Sequence, residues 1–423
     1  MVTKFDEMLI YLSTHNNYMI QPIQMEKILE LHNLAKESVA KFEKKRFIYE
    51  DIKKILRDRL FIGVAGLRGV GKTVLLRQLS IELDNSFYIS MDALDAGINL
   101  FELAKELSSD YKIKYLLIDE IHNHVNWQME IKKIYDFLDI KLVFTSSASI
   151  DIIRSKYDLS RRVVIMNMPP FSFREYLFFK KNTLVDKMSL DDILTKYREL
   201  YLKVYTFEPD FHEFCIRGAL PSTIDAPFVQ TIRNIVEKII NHDLLIYGKL
   251  NREDIINIGN ILRFMSRSPV DVCNYSVISH NTGITKYKVQ EYIGLLEQAF
   301  ILKVMLPYGS NVTREPKILY RLPFRSYFSE GTEDDKIKGA IREEFFVHHL
   351  LNSDVEMNYL KSVRGEKLPD YVVFNKNDKI IFEIGGAGKT RKQLKGISGS
   401  RFILSQPGNL EKGIPLILFG FLS

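Results

Sequence analysis

The stretch Gly66-Leu67-Arg68-Gly69-Val70-Gly71-Lys72-Thr73 decides the reading of this chain. It fits G-x-x-x-x-G-K-[ST] at every fixed position, with the apolar run RLFIGVAG (59–66) before it and the helical pattern TVLLRQLSIEL (73–83) after it. A phosphate cradle requires that context. Glycines let the backbone curl so that its N–H groups converge on an anion, and the following helix turns its positive dipole end to the same point. Gly66 through Val74 are therefore the candidate nucleotide contacts, with Lys72 reaching the β- and γ-phosphates of ATP and the Thr73 hydroxyl ligating Mg2+. By average residue usage the bare pattern arises by chance in roughly one or two of a hundred chains this long, and its flanks make chance rarer still.

A second run, Tyr115-Leu116-Leu117-Ile118-Asp119-Glu120, ends an apolar strand in two adjacent carboxylates, at the end of a buried strand where open α/β sheets bind ligands. Asp119 is the candidate magnesium carboxylate, acting through a water, and Glu120 the candidate general base for the attacking water. The run Lys141-Leu142-Val143-Phe144-Thr145-Ser146-Ser147 likewise ends in hydroxyls. A sensor of the γ-phosphate or the lytic water at Thr145 or Ser146, and a hydroxyl that caps a helix at Ala148, account for these residues equally well. Arg161 and Arg162 stand at the far edge of the nucleotide domain, where a guanidinium would complete its own site or that of a neighbouring subunit; paired arginines also occur as plain surface charge.

Around this core the chain has 423 residues, more than one hydrophobic core usually supports. A composition 46% hydrophobic and 26% charged allows folded domains throughout, and a net charge of +6 is compatible with nucleic acid without resembling a polycation. Cys215 and Cys273 form no metal-ligand or disulfide pattern, which fits a reducing cytoplasm. The N-terminal MVTKFDEMLIYLSTHNNYM has acids inside its apolar stretch and no cleavage-site pattern, so no signal peptide is expected. No apolar run has the length of a membrane span, and IPLILFGFLS (414–423) reads as a final core strand.

The expected fold class is α/β. Residues 1–45 read as a helical extension. From 46 to 170, short apolar runs alternate with amphipathic helices, the mark of a P-loop NTPase parallel sheet covered on both faces. Residues 171–268 read as a helical lid or connector, and 269–315 as helix, glycine turn, helix and apolar run, the order of a winged helix-turn-helix. From 316 to 423 the elements are mixed again: ILYRL, the helix KGAIREEFFVHHLL, DYVVF, KIIFEI, a Lys-rich helix and RFILS, expected to form a separate α/β domain.

GLRGVGKT, LLIDEIHNHVNW with Trp127, VFTSSAS and LSRRVVIMNMPPFSFREYL together resemble the AAA+-related, STAND-like ATPases of archaea and bacteria that end in a restriction-endonuclease-like domain. The resemblance covers roughly residues 46–405. It implies a sheet in which the two motif-bearing strands are separated by the sensor strand. It also puts Arg162 at the family's arginine, with Arg161 in place of the preceding glycine, and matches Pro170, Ser172, Phe173, Glu175 and Tyr176 to the segment that follows. Arg217-Gly218-Ala219-Leu220-Pro221 resembles the family's glycine-glycine-x-x-proline lid, with arginine for one glycine.

In the last domain Glu343 lies on a helix, Asp370 begins a strand and Glu383 ends the next, similar to the acid layout of restriction-endonuclease-like folds, whose acids bind magnesium beside a lysine. That lysine position is Gly385, which leaves Lys389 or Lys392 to migrate into the role. GGAGKT (385–390) is not a second phosphate loop, because the position of its first glycine is Glu383. His122-Asn123-His124 lacks a nuclease scaffold and reads as alternating exposed side chains after a strand. The second helix of the helix-turn-helix offers Thr285, Lys286, Tyr287, Lys288 and Gln290, types that suit contact with DNA; a structural hairpin explains them as well.

Three functions follow as expectations. The first is an oligomeric ATPase that couples ATP hydrolysis to rearrangement on DNA. The second is a slow nucleotide-dependent switch acting on a protein partner, and the third a metal-dependent nuclease gated by ATP.

Overall fold

The computed structural model describes residues 22–94, 97–146, 159, 161–309, 315–329, 334–353, 355–360, 368–376, 378–385, 399–406, 408 and 410–422. The chain divides into two compact units, Met1–Met168 and Pro169–Ser423.

The first unit begins with α1 (Pro22–Val39) and α2 (Ile48–Ile55), then alternates β1 (Phe61–Ala65), α3 (Lys72–Glu82), β2 (Ser86–Ser90), α4 (Leu100–Ser109), β3 (Tyr115–Asp119), α5 (Trp127–Phe137), β4 (Lys141–Ser146) and β5 (Val163–Asn167). All five strands are parallel, in the order β2-β3-β4-β1-β5. β1 is buried along its whole length and β3 and β4 beyond their first residue, which is why they read as continuous apolar runs rather than alternating ones. The strand of the glycine loop and the strand of the two acids are thus parted by β4, as the resemblance implied. Trp127 and Phe144 pack at 5.6 Å between ring centroids within the core.

β2 is an edge of this sheet, and α1 covers it. The His32 ring of α1 stacks on Phe87 at 4.5 Å, and its Nδ1 accepts the backbone N–H of Tyr88 at 3.0 Å. An amide that an edge strand would otherwise leave open is satisfied by a side chain.

The second unit places α6 (Phe173–Lys181), α7 (Leu190–Val204), α8 (Phe228–Lys238) and α9 (Arg252–Ser266) ahead of α10 (Tyr275–Thr282) and α11 (Lys286–Gln298). Ser172 and Glu175 close a capping box on α6, so the Ser-Phe-x-Glu-Tyr segment after Pro170 starts a helix. Gly218 ends a π-turn against Tyr176, whose ring carbon Cε2 a Cβ there would meet at 2.6 Å. Gly283, at φ +71, turns the chain between α10 and α11, and an antiparallel pair, β6 (Leu302–Met305) and β7 (Lys317–Tyr320), follows.

Helix α12 (Asp335–Leu351) then leads to β8 (Glu356–Tyr359), β9 (Tyr371–Asn375), β10 (Asp378–Ile384), β11 (Ser400–Ser405) and β12 (Ile414–Pro415), in the order β12-β11-β10-β9-β8. Strands β8, β9 and β10 are antiparallel neighbours, and β10, β11 and β12 are parallel. One core joins Phe173, Tyr176 and Phe214 to Phe345, Phe346 and Phe382, so segments 171–268 and 316–423 share their hydrophobic interior. His349 of α12 accepts the Phe173 backbone N–H at 2.9 Å inside it.

The C-terminal run differs from expectation. Only Ile414 and Pro415 pair as a strand, and Leu416–Phe421 is a fully buried 3-10 turn. An uninterrupted apolar run records burial on every side, and both a central strand and a buried helical turn satisfy that.

Candidate functional site

Gly66 leaves β1 under the Met168 carbonyl, where a Cβ would come within 2.5 Å of the oxygen, so the loop cannot start on any larger residue without moving that backbone. Gly71 caps α3 at φ +97, a left-handed conformation that favours glycine. Lys72 lies back across the loop, its Nζ donating to the carbonyls of Gly66 at 2.7 Å and Leu67 at 3.0 Å. It is 6% exposed. The buried Arg46 guanidinium donates to the Val70 carbonyl at 2.5 Å from outside, bracing the turn. Thr73 and Val74 continue into the first turn of α3, and Arg68 and Gly69 form the loop crest.

The acids meet this loop from β3. Asp119 is 2% exposed and accepts from Thr145 Oγ1 and, at 3.1 Å, from the Tyr88 hydroxyl. Burial pushes its carboxyl above the usual range, against the hydrogen bonds from Thr145, Thr73 and Tyr88, while Glu120 pushes the same way as burial. A Thr hydroxyl and a carboxylate side by side are hard oxygen donors, the set magnesium prefers, and a cation there would offset the cost of charging Asp119. Thr73 and Asp119 therefore fit a magnesium ion.

Glu120 takes the left-handed conformation, at φ 52, and its backbone N–H donates to Thr145 Oγ1 at 3.2 Å. Its Oε2 lies 3.2 Å from His122 Nδ1, which in turn stands 2.9 Å from Ser146 Oγ. Both sequence-predicted hydroxyls of β4 are thus tied to the acids. The reading of His122 as an exposed residue is corrected: its side chain is 4% exposed, because the short 3-10 turn after β3 folds it under Glu120.

Arg162 does not reach this constellation. It precedes Val163, which pairs with Phe61 at the opening of β1, while the loop begins after Ala65 at the other end. At about 3.3 Å per strand residue the separation is roughly 15 Å. Its guanidinium makes two bonds to Asp136, at 3.0 and 2.9 Å, and lies over Tyr135. Completion of its own chain's site by Arg162 is corrected on that ground. Arg161 is exposed at the same edge.

The second unit gathers another charged group. Ligand oxygens of Asp271, Glu343 and Asp370 lie within 4.8 Å of one another. Lys317 Nζ is 2.8 Å from Asp271 Oδ1 and 3.2 Å from Glu343 Oε2, and Tyr371 donates to the same Glu343 oxygen at 3.1 Å. Asp370 accepts the Ile384 backbone N–H at 2.7 Å. Glu383, 2% exposed near the end of β10, is not a member of that group. Gly385 donates its N–H to Leu404, and Lys389 and Lys392 lie outside the described residues.

In the helix-turn-helix, Thr285 caps α11, Lys286 pairs with Glu315, and Lys288 pairs with Glu291 at 3.1 Å. Tyr287 is 75% exposed, and Gln290 is exposed.

Against known proteins, two segments match family models. Residues 58–177 match the model described as AAA domain. Over these residues the parallel sheet and its glycine loop have the layout of a P-loop α/β fold, in keeping with that match. Residues 208–321 match a domain of unknown function. An uncharacterized protein of Methanocaldococcus jannaschii is 28% identical over 389 residues, 83% of this chain and 82% of that one. A Walker-type ATPase of Pyrococcus abyssi superposes at a TM-score of 0.41 with 16% identity, over 68% of this chain and 95% of that one. The Orc1 protein of Aeropyrum pernix, solved in complex with DNA, gives 0.26 and 13%, over 71% and 93%. Both likenesses are too loose to carry an argument. No helix among the described residues is long and apolar enough to cross a membrane.

Three residues of this site carry little sequence signal of their own. Arg46 lies 20 positions before Gly66 in a polar stretch, Tyr88 sits in an ordinary edge strand, and His122 follows the acids by two. Only the DEIH spacing hinted at the last. Lys317 and Asp271 were equally silent, since each belongs to a different element from the acids it meets.

Proposed function

We propose that this chain binds ATP with Mg2+ at Gly66–Val74, hydrolyses it, and couples nucleotide state to rearrangement on nucleic acid. The observation that carries the reading is the junction of Thr73, Asp119, Glu120 and Thr145 beside a glycine loop whose lysine is held ready. In this reading Lys72 exchanges the two loop carbonyls for the β- and γ-phosphates. Thr73 and Asp119 would hold the magnesium, which would supply charge neutralisation. Glu120 takes the proton of the attacking water, and the His122–Ser146 pair orients its carboxylate. Arg161, exposed and unlike Arg162 not bound to Asp136, is the better candidate to complete a neighbouring copy's site in a homo-oligomer.

Nucleic acid enters through the order of α10, Gly283, α11 and the β6–β7 pair, which suits a winged helix, and through α12 with the β8–β12 sheet, which suits a nuclease-like fold. The test is ATP turnover with and without single-stranded, duplex and branched DNA across a salt series. Stimulation that falls steeply with salt supports the coupling; a rate indifferent to every DNA, without salt-sensitive binding, removes it.

One observation favours the second reading, a nucleotide-dependent switch on a protein partner. Lys286 and Lys288, the basic groups of α11, are already paired with carboxylates. That reading requires slow turnover, tightly retained nucleotide and a partner released on exchange.

A further inference from the structure

Three carboxylates whose oxygens crowd within 4.8 Å repel one another unless a cation stands among them or one of them takes up a proton. A nuclease-like fold would put a divalent metal there, ringed by oxygens and water. The residues present do not fit that ion. The chain brings its own positive charge into the group on β7: Lys317 Nζ reaches Asp271 and Glu343 at 2.8 and 3.2 Å. We propose that Lys317 is the resident cation of this centre, its ammonium standing where a divalent metal would otherwise be needed, so that the nuclease-like domain is a metal-free binding or assembly module. The assignment stands on the second unit alone and does not depend on the ATP site.

Three further observations support it. Lys317 is 6% exposed and lies over the ring of Tyr371 at 5.0 Å and that of Tyr359 at 5.8 Å, so the ammonium is enclosed rather than passing through. Burial works against its charge, yet Glu343, Tyr371, Asp271 and Asp370 outweigh burial and hold its pKa well above the ordinary lysine value. The backbone is fixed as well, because Lys317 pairs with Met305 in the ribbon and the next residue donates its N–H to Cys273. The centre thus clamps three elements: the turn at Asp271, the ribbon at Lys317 and helix α12 at Glu343.

The alternative, Lys317 as the lysine of a working metal centre, predicts the opposite metal behaviour. The experiment is a Mn2+ titration read by electron paramagnetic resonance on the full nucleotide-free chain carrying Asp119→Asn, which removes the other candidate metal carboxylate. With Lys317 present, adding Asp370→Asn should leave Mn2+ binding unchanged. Lys317→Met should create a Mn2+ site, and Asp370→Asn should abolish it. Mn2+ uptake that depends on Asp370 while Lys317 is present overturns the proposal, and so does a folded Lys317→Met chain that gains no site. Should Lys317→Met fail to fold, the comparison made with Lys317 in place decides alone: Asp370-dependent uptake overturns the proposal, and its absence supports it.

Discussion

Thr145 donates its hydroxyl to Asp119 Oδ1 and accepts the N–H of Glu120 at 3.2 Å, so one side chain of the middle strand fastens both acids of its neighbour. Thr145→Val keeps the shape and removes both bonds. Stability should fall by about 1–3 kcal/mol, since Asp119 loses a buried donor. With its base unfastened, turnover should fall on the order of 10². Urea melts and steady-state hydrolysis check the two effects separately.

Lys72→Ala should weaken binding of a non-hydrolysable ATP analogue, measured by calorimetry, without loss of fold. Glu120→Gln should bind ATP as tightly as the parent and scarcely turn it over. Hydrolysis by Glu120→Gln at the parent rate would move the general base elsewhere.

If copies of the chain complete one another's sites, Arg161→Ala should cost on the order of 10³ in turnover. Arg162→Ala should cost far less and mainly loosen the Asp136 contact. Equal rates for parent and Arg161→Ala across a concentration series would exclude a donated arginine.

His32 gives the first unit a sensitivity to acid. Burial, with Lys36 adding to it, lowers the imidazole pKa from 6.5 to about 4, and a proton on Nδ1 would displace the Tyr88 amide that this nitrogen accepts. The folded form thus resists a proton that the unfolded chain takes up. Its contribution is whole above pH 6.5 and is lost as pH falls toward 4, by about 3 kcal/mol at most. His32→Asn keeps an acceptor near Nδ1 and cannot titrate, so its stability curve should fall less than the parent's across that window. Parallel curves would show that His32 does not carry the effect.

Arg325 and Glu344 are both wholly buried, joined at 2.7 Å, with the guanidinium also donating to the carbonyls of Met265, Ser266 and Ser268. Glu344→Ala strands that charge and should cost about 3–5 kcal/mol. A denaturant midpoint for the second unit close to the parent's would contradict it.

The sequence carried the first unit well because its information is local. Gly66, Gly71 and Lys72 are read from spacing, and Asp119 and Glu120 from the end of an apolar run. What it did not carry is lateral. Tyr88 reaches Asp119 across a strand pair, Arg46 braces the loop from a separate segment, and Lys317 enters an acidic group that its own strand does nothing to announce. Glu343 and Glu344 show the limit within one dipeptide: neighbours in sequence, they face different partners, Lys317 and Arg325, and only packing separates their tasks. Strand order came from resemblance, since periodicity is blind to which strands lie side by side.

The imidazole that takes the Tyr88 amide also bears on how copies of this chain meet. A foreign strand seeking main-chain partners finds that rung of the ladder occupied, with α1 lying across it. Self-association at this margin then has to proceed through side chains, which keeps a sheet rich in strong β formers from templating its own aggregation.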